Sequence, residues 1–460
     1  MVQTWVLAFP GTGKSKDEVS EIFRRGLEKT LHQLPYLARR LERVDSGPDA
    51  GRLKLVNSNQ SKFEEQFSVN DLTKQPEVWT HSYQDLVRQG MPVALMRPSE
   101  LEPPGGYPLL SVLPIATQVN HIDGGTLLYI CIHHSIMDGF GGSAVLETWA
   151  RNCRAAQKEM ELAASTTTST TLSVEDPLPQ SKLRLPEIFQ DGMKPPKEEA
   201  EVITKDGSLW HSLGLQQPPG RCSTMTSALP ADKKMVSAIF AAPQDSINHL
   251  RSLATPDGGK GTSAFASTVS FLWKSIMRAR KPDLPQADTL TSHLLMPVSL
   301  RRRLGVPSDY PGNVVLYSIT GMQLATLLSA DGRQISGMVR ESLARAKDTD
   351  RARNAIKLSF VLPEPSRRKH IFESSATQDL VLSSWEDLPW YKYDWGPAFG
   401  SPGNAEFVRV SHQGYVPGLC AVQPRRREDE LEVLINLEEG QLEGLIRDAE
   451  FSSHFKLRCK

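Results

Sequence analysis

Apolar residues recur at helical spacing soon after the start of the chain. Val19, Ile22, Phe23, Leu27 and Leu31 stand three or four apart and predict an amphipathic helix over Asp17 to Leu34. Ser15 and Glu18 ahead of it have the spacing of a capping box. The period then changes. Thr126-Leu127-Leu128-Tyr129-Ile130-Cys131-Ile132 is an unbroken apolar, β-prone run that predicts a strand from Leu127 to His133. If the strand stays regular, Leu128, Ile130, Ile132 and His134 share one face. Helical spacing returns at Leu146, Trp149, Ala150 and Cys153, with Ser143 as the expected N-cap.

Between about 160 and 235 the periodicity fades. Ser165-Thr166-Thr167-Thr168-Ser169-Thr170-Thr171 is polar and low in complexity, and Pro195-Pro196-Lys197-Glu198-Glu199 follows. Such a segment buries little apolar surface and reads as a linker. Beyond it, Phe265, Val269, Leu272, Trp273 and Ile276 predict a helix from Ala264 to Ala279. Strand-like runs follow at Asn313 to Ile319, Asp379 to Leu382, Phe407 to Val410 and Leu431 to Leu437, then a last helix from Glu438 to Ala449. The pattern therefore predicts α/β architecture in two domains: residues 1–205, a polar crossover at 206–235, and residues 236–460. The chain's 460 residues exceed the roughly 250–300 at which one core stops growing, which agrees with that division.

Charge narrows the functional classes. Lys plus Arg and Asp plus Glu number 53 each, so no net field draws in nucleic acid or an anionic membrane. No apolar run approaches the ~20 residues of a membrane span. The five cysteines (Cys131, Cys153, Cys222, Cys420 and Cys459) are scattered and include no C-x-x-C pair. That spacing favours neither a disulfide framework nor a metal site, and the start shows no signal peptide, so the cytosol is the expected compartment.

The chemistry concentrates at His133-His134-Ser135-Ile136-Met137-Asp138-Gly139, directly after the predicted strand and before Phe140-Gly141-Gly142. Imidazole titrates near neutrality and can take a proton from a hydroxyl or amine. His134 is the expected general base. Asp138 can hold the ring or the loop, and Gly139 supplies backbone freedom. His133 is read as structural. A second motif, Ala8-Phe9-Pro10-Gly11-Thr12-Gly13-Lys14-Ser15, satisfies a relaxed phosphate-loop pattern. No separate apolar strand ending in a magnesium-holding aspartate accompanies it, so it is read as a turn before a capped helix.

The HHSIMDG segment resembles the HHxxxDG signature of the CoA-dependent acyltransferases, which include the plant BAHD enzymes and the fungal trichothecene 3-O-acetyltransferases; peptide-synthetase condensation domains share it. Further segments follow in the family's order. Gln118 to Ile132 resembles the approach to the catalytic loop, and Ser270 to Arg280 the helix of the second domain. Val298-Ser299-Leu300-Arg301-Arg302-Arg303-Leu304 with Tyr310-Pro311-Gly312-Asn313 resembles VDxRxR…GN. Tyr391-Lys392-Tyr393-Asp394-Trp395-Gly396-Pro397 resembles the stretch ending in DFGWG, here shortened to Asp394-Trp395-Gly396. Ser299 stands where the family often has aspartate, and an LSPLD-like opening is missing.

The resemblance implies two chloramphenicol-acetyltransferase-like domains, each a mixed sheet flanked by helices, with a tunnel between them and His134 where acyl-CoA and acceptor meet. It turns Asp138 away from the imidazole towards an arginine, with Arg301 the candidate partner; a CoA contact is the other reading of Arg301. It makes Asp394 and Gly396 organisers of the domain interface. Acyl-CoA, acetyl-CoA first, is the co-substrate, and no bound cofactor or metal is implied. The acceptor is a small molecule bearing a hydroxyl or amine, and a monomer is the default. Two alternatives stay open: a condensation-type enzyme taking its acyl group from a carrier protein, and a non-catalytic metabolite-binding relative. Trp273, Trp385 and Trp395 are read as core.

Overall fold

The computed structural model describes residues 2–47, 50–57, 63–165, 194–217, 234–256, 261–284, 289–362, 378–412 and 418–460. It is built on two sheets. The first has five strands: β1 (Val2–Pro10), β4 (Phe67–Asp71), β5 (Ile115–Ile122), β6 (Gly125–His133) and β11 (Phe407–His412), in the order β11-β1-β6-β5-β4. The second has seven: β7 (Met235–Pro243), β8 (Thr291–Ser299), β9 (Val315–Gln323), β10 (Leu380–Ser384), β12 (Leu419–Val422), β13 (Glu430–Glu438) and β14 (Lys456–Cys459), in the order β14-β7-β13-β12-β10-β8-β9. A small hairpin, β2 (Arg40–Arg43) and β3 (Leu53–Val56), stands apart from both.

In the first sheet β1 runs antiparallel to β6, with Trp5 opposite Ile130 and Leu7 opposite Leu128. Trp5, Leu7, Phe9, Leu128, Ile130 and Ile132 share a core with the helices Lys16–Gln33 and Gly139–Ser165. Val6, Ala8, Leu127, Tyr129 and Cys131 fill a separate core on the opposite face. Both faces are covered, so the run reads as continuously apolar rather than alternating. The β6 ladder stops at His133. His134 therefore leaves the strand and sits in a turn closed by the Ile136 amide donating to the His133 carbonyl at 2.9 Å.

The expected helix at 264–279 forms as Ala264–Arg280, with Ser263 capping the Ala266 amide at 3.1 Å. The last expected helix is instead two, Glu439–Arg447 and Ala449–His454. Asp448 between them ends the first and caps the second through the Phe451 amide at 2.9 Å.

The chain does not divide at the expected 1–205, 206–235 and 236–460 boundaries. Two helices, Lys197–Lys205 and Gly207–Ser212, occupy part of the expected linker, and Ile203, Leu209 and Trp210 belong to the second core. Conversely, residues 385–412 return to the first domain. Phe399 packs 5.0 Å from Phe9 and 4.6 Å from Phe23, Trp395 lies 5.6 Å from Trp149, and β11 completes the first sheet. Aromatic side chains of this size gain more from an existing core than from solvent, and polarity alone hid the Trp210 anchor. Residues 166–193 and 218–233, including most of the Ser/Thr run, lie outside the described residues.

The return strand also locks the domains together. Arg409 on β11 pairs with Glu432 on β13 at 2.9 Å, with side chains 0 % and 5 % exposed. Its remaining nitrogens donate to the carbonyls of Met91 and Gly90 at 2.9 and 2.7 Å.

Candidate active site

The turn after β6 is held from both domains. Asp138 is the cap of the helix Gly139–Ser165: its Oδ1 accepts from the Gly141 amide at 2.9 Å, and its carbonyl accepts from Gly142 at 2.9 Å. Ser143, the expected cap, lies inside the helix, where its hydroxyl meets Tyr393 Oη at 2.6 Å and accepts from Trp390 Nε1 at 3.0 Å. An aspartate one residue before the helix begins is the better-placed cap.

Across the domain boundary, Arg301 reaches Asp138 in a two-pronged pair, both contacts at 2.8 Å and both side chains about 5 % exposed or less. The Val314 amide donates to the same carboxylate at 2.8 Å. Arg301 also donates to the carbonyls of Tyr310 at 3.1 Å and Gly312 at 2.6 Å, so its terminal nitrogens are engaged inside the protein. The structure thus supports the salt-bridge reading of Arg301 and leaves the CoA-contact reading without an outward-facing group. Arg302 and Arg303 are exposed, as a solvated charge run would be.

Asp138 accordingly faces Arg301 and not an imidazole. His134 is half-buried, and burial chiefly holds its pKa below the usual histidine value, opposed by a hydrogen bond to its own backbone and by the Asp138 charge. Burial thus favours the neutral form of the ring. Its main-chain carbonyl also accepts from Asn313 Nδ2 at 3.0 Å, which fixes the turn from the second domain. His133 is buried, and burial pushes its pKa down to about 4; its Nδ1 accepts from the Ser135 amide at 3.3 Å.

The glycine requirement falls elsewhere than expected. Gly139 is not among the residues with positive φ; a Cβ there would sit 3.4 Å from Leu388 Cδ1 and 3.5 Å from Trp385. Gly141 and Gly142 are the constrained positions. A Cβ at Gly141 would lie 2.1 Å from the Pro311 carbonyl oxygen, and one at Gly142 would lie 2.0 Å from Trp5. These two glycines let the second domain's loop and the β1 tryptophan approach the catalytic turn. Neither Asn313 nor Gly141 was singled out as functional from sequence; the G-G pair after HHSIMDG and the GN of the arginine segment were the available signals.

A cavity of about 630 Å³ opens beside the turn. Ser135 and Ile136 line it, facing Tyr310 and Pro311 from the second domain, with Leu41 and Leu53 of the small hairpin on another side. It thus lies where the two domains meet.

Asp394 and Gly396 do not organise that interface. Asp394 Oδ1 accepts from the Gly396 amide at 2.8 Å, while Oδ2 pairs with Arg154 at 2.8 Å, the two side chains being 40 % and 52 % exposed. Gly396 has φ +100°, and a Cβ there would lie 2.3 Å from Gln157 Nε2. Gln157 in turn donates to the Trp395 carbonyl at 2.6 Å and accepts from the Ala398 amide at 2.8 Å. The motif is a turn that seats Trp395 in the first core. An exposed ion pair of this kind contributes at most about 1 kcal/mol, so the larger loss expected from an interface role does not apply to Asp394. Trp273, Trp385 and Trp395 are all buried, as the core reading had it.

The Gly11–Ser15 loop is not a phosphate cradle. Its strand, β1, is antiparallel to both neighbours. The Gly11 amide donates to the Gly124 carbonyl at 2.8 Å, Ser15 caps the helix through the Glu18 amide at 3.1 Å, and Lys14 pairs with Glu18 at 2.7 Å on the surface. The capping box is half-formed, because the Glu18 side chain turns to Lys14. Lys14→Ala should therefore leave acyl transfer and melting temperature within error of the wild type. A loss of ATP hydrolysis in that variant, measured by phosphate release, would restore the phosphate-loop reading.

Comparison with known proteins places this geometry. The profile of the Transferase family matches residues 3–452. The chain is 24 % identical to an eremophilane O-acetyltransferase of Penicillium roqueforti over 97 % of this chain and 94 % of that protein. It is 23 % identical to a trichothecene 3-O-acetyltransferase of Fusarium sporotrichioides over 98 % of this chain and 92 % of that protein. The crystal structure of F. graminearum TRI101 with coenzyme A and deoxynivalenol superposes with a TM-score of 0.78 at 18 % identity, covering 100 % of this chain and 96 % of that one.

Proposed function

Because the chain belongs to the Transferase family, we propose that it is an acyl-CoA-dependent O-acyltransferase with His134 as general base. The observation that carries the reading is a half-buried imidazole, its pKa held down by burial, on a turn whose neighbouring carboxylate is taken up by Arg301. A histidine held unprotonated at neutral pH is ready to accept a proton, and the rigid turn fixes where it does so.

His134 removes the proton from the acceptor hydroxyl as the oxygen attacks the thioester carbonyl carbon. The tetrahedral intermediate collapses by breaking the carbon–sulfur bond. The departing CoA thiolate takes the proton back from the imidazolium, leaving an ester, free CoA and neutral His134. Asp138 and Arg301 act by holding the turn. The thioester is already activated, so positioning and one base supply the rate.

The curated relatives named above are O-acetyltransferases of fungal metabolites, which supports an acetyl group as donor and the hydroxyl of a fungal-type secondary metabolite as acceptor. The four described cysteines are buried and free, which supports a reducing compartment and hence the cytosol, where we place the protein as a monomer. Among the described residues no helix is long and apolar enough to cross a membrane.

The test is release of free thiol from acetyl-CoA in the presence of hydroxylated sesquiterpenoids. Turnover should need neither ATP nor magnesium and should persist in a chelator. Activity with a phosphopantetheinylated carrier protein alone, every free CoA thioester being inert, would move the protein to the condensation-type reading.

A further inference from the structure

The cavity of about 630 Å³ beside the catalytic turn holds a group that the transfer step leaves unused. Its volume falls within the ~300–1,000 Å³ of small-molecule sites. Ile136 and Pro311 line it together with Leu41, Leu53 and Leu55 of the hairpin β2–β3. Among the described residues no carboxylate lines it, and Arg52, the charged residue on its wall, has a partner within the protein. The other polar side chains on the wall are hydroxyls, those of Tyr36, Ser135 and Tyr310. Such a surface suits a neutral, mainly apolar ligand that carries few oxygens.

The hydroxyls differ in what they need. Ser135 is exposed, and water satisfies it. The Tyr36 hydroxyl is buried and, among the described residues, has no hydrogen-bond partner. Burial pushes its pKa well above the usual tyrosine value, and Tyr310 across the cavity adds to the rise. The phenol therefore stays a neutral O–H donor at any working pH. A buried hydroxyl without a partner destabilises the free protein, and a ligand oxygen that accepts from it removes that cost.

Local structure fixes where the phenol stands. Tyr36 lies in the short turn Pro35–Ala38, between the first helix and β2. Leu37 beside it is buried in the first core, and its carbonyl accepts from Gln66 Nε2 at 2.7 Å. The hairpin on the other side belongs to neither large sheet. A fixed phenol thus faces a leucine-lined wall that no large sheet ties down. A chain of amides such as pantetheine needs donors and acceptors along its length. One unpaired donor among leucines matches a compact apolar body bearing a single further oxygen.

We propose that Tyr36 selects the acceptor by donating a hydrogen bond to an oxygen other than the hydroxyl that is acylated, so that the preferred acceptor is a compact apolar alcohol with a second oxygen, a ketone or an ether. The inference rests on the acyl-transfer reading above and deepens it to a substrate class.

Steady-state kinetics of the full chain at saturating acetyl-CoA test it with paired acceptors. One pair is a hydroxydecalone and the decalol lacking its ketone; larger fused-ring keto-alcohols are paired with their deoxo counterparts in the same way. Wild-type protein should turn over the oxygenated member of a pair with the higher kcat/KM. In Tyr36→Phe that preference should fall about tenfold, the effect of one neutral hydrogen bond. The loss should appear in KM for the oxygenated acceptor and not in kcat, with KM for acetyl-CoA and the melting temperature close to wild type. A wild type without the preference, or a preference that survives in Tyr36→Phe, overturns the assignment. Equal losses for both members overturn it too, since they would report lost packing. A raised KM for acetyl-CoA with the acceptor constants unmoved would place the phenol on the donor instead. Wild-type protein that binds acetyl-CoA by titration but turns over no pair overturns the acceptor class alone. Wild-type protein that melts normally but binds no acyl-CoA would remove the acyl-CoA reading itself, and this role with it.

Discussion

His134→Ala lowers acyl transfer by ~10²–10⁴-fold, the range a positioned general base supplies, while the melting temperature stays close to wild type. Two features separate the catalytic loss from a structural one. The Asn313 contact is to the His134 main chain, so the turn keeps its anchor when the ring is removed. The hydrogen bonds of Asp138 and Arg301 run to each other, to backbone groups and to Ser299 Oγ, and not to the ring. His133→Ala removes a buried ring that accepts one hydrogen bond from Ser135, so its effect falls on the turn's stability and is the milder of the two for turnover. Transfer retained within tenfold in His134→Ala, or a larger loss in His133→Ala, would identify the wrong imidazole.

Asp138→Asn produces the largest stability loss. The exchange leaves the Arg301 charge without its counter-charge at a position about 5 % exposed. Removing one member of a buried pair costs ~3–5 kcal/mol, and the carboxylate here is also the helix cap and the acceptor of the Val314 amide. Melting temperature and soluble yield should fall together with turnover. Arg301→Leu should fall by a similar amount, since it strands the same carboxylate. In the double variant the losses should be clearly less than additive, because each single change already breaks the pair. Additive losses in that cycle would remove the pairing from the account. Full stability with lost turnover in Asp138→Asn would instead place the carboxylate in the chemistry.

Much of this was legible in the chain because local pattern and tertiary placement agree. The first helix, β6 and the helix at Ala264–Arg280 bury most of the apolar positions whose spacing predicted them. The motif order placed His134 directly after the predicted strand and matched Asp138 to Arg301, 163 residues away. What stayed hidden depends on long-range packing. Nothing local in residues 385–412 says that they return to the first core, because Trp395 and Phe399 would suit either domain until Phe9, Phe23 and Trp149 are in place. The helices at 197–212 are short and, beyond Ala200, Val202, Ile203, Leu209 and Trp210, carry polar residues and glycine, so their composition resembles a linker. Gly141 and Asn313 acquire their roles only from each other's domain, one by admitting the Pro311 carbonyl and the other by reaching the His134 carbonyl. Asp394 was misassigned because a motif's position in sequence says nothing of its exposure.

The central claim is that a neutral His134 takes the acceptor's proton. The most direct measurement is kcat/KM for the acceptor against pH, at saturating acetyl-CoA, in wild type and His134→Ala. The base works deprotonated, and burial holds its pKa below the ordinary histidine value of about 6.5. The account predicts a rate that rises with pH through one ionisation with its midpoint below 6.5, a plateau through neutral pH, and no such ionisation in the residual rate of the variant. A midpoint above 7, or the same ionisation surviving in His134→Ala, would contradict it.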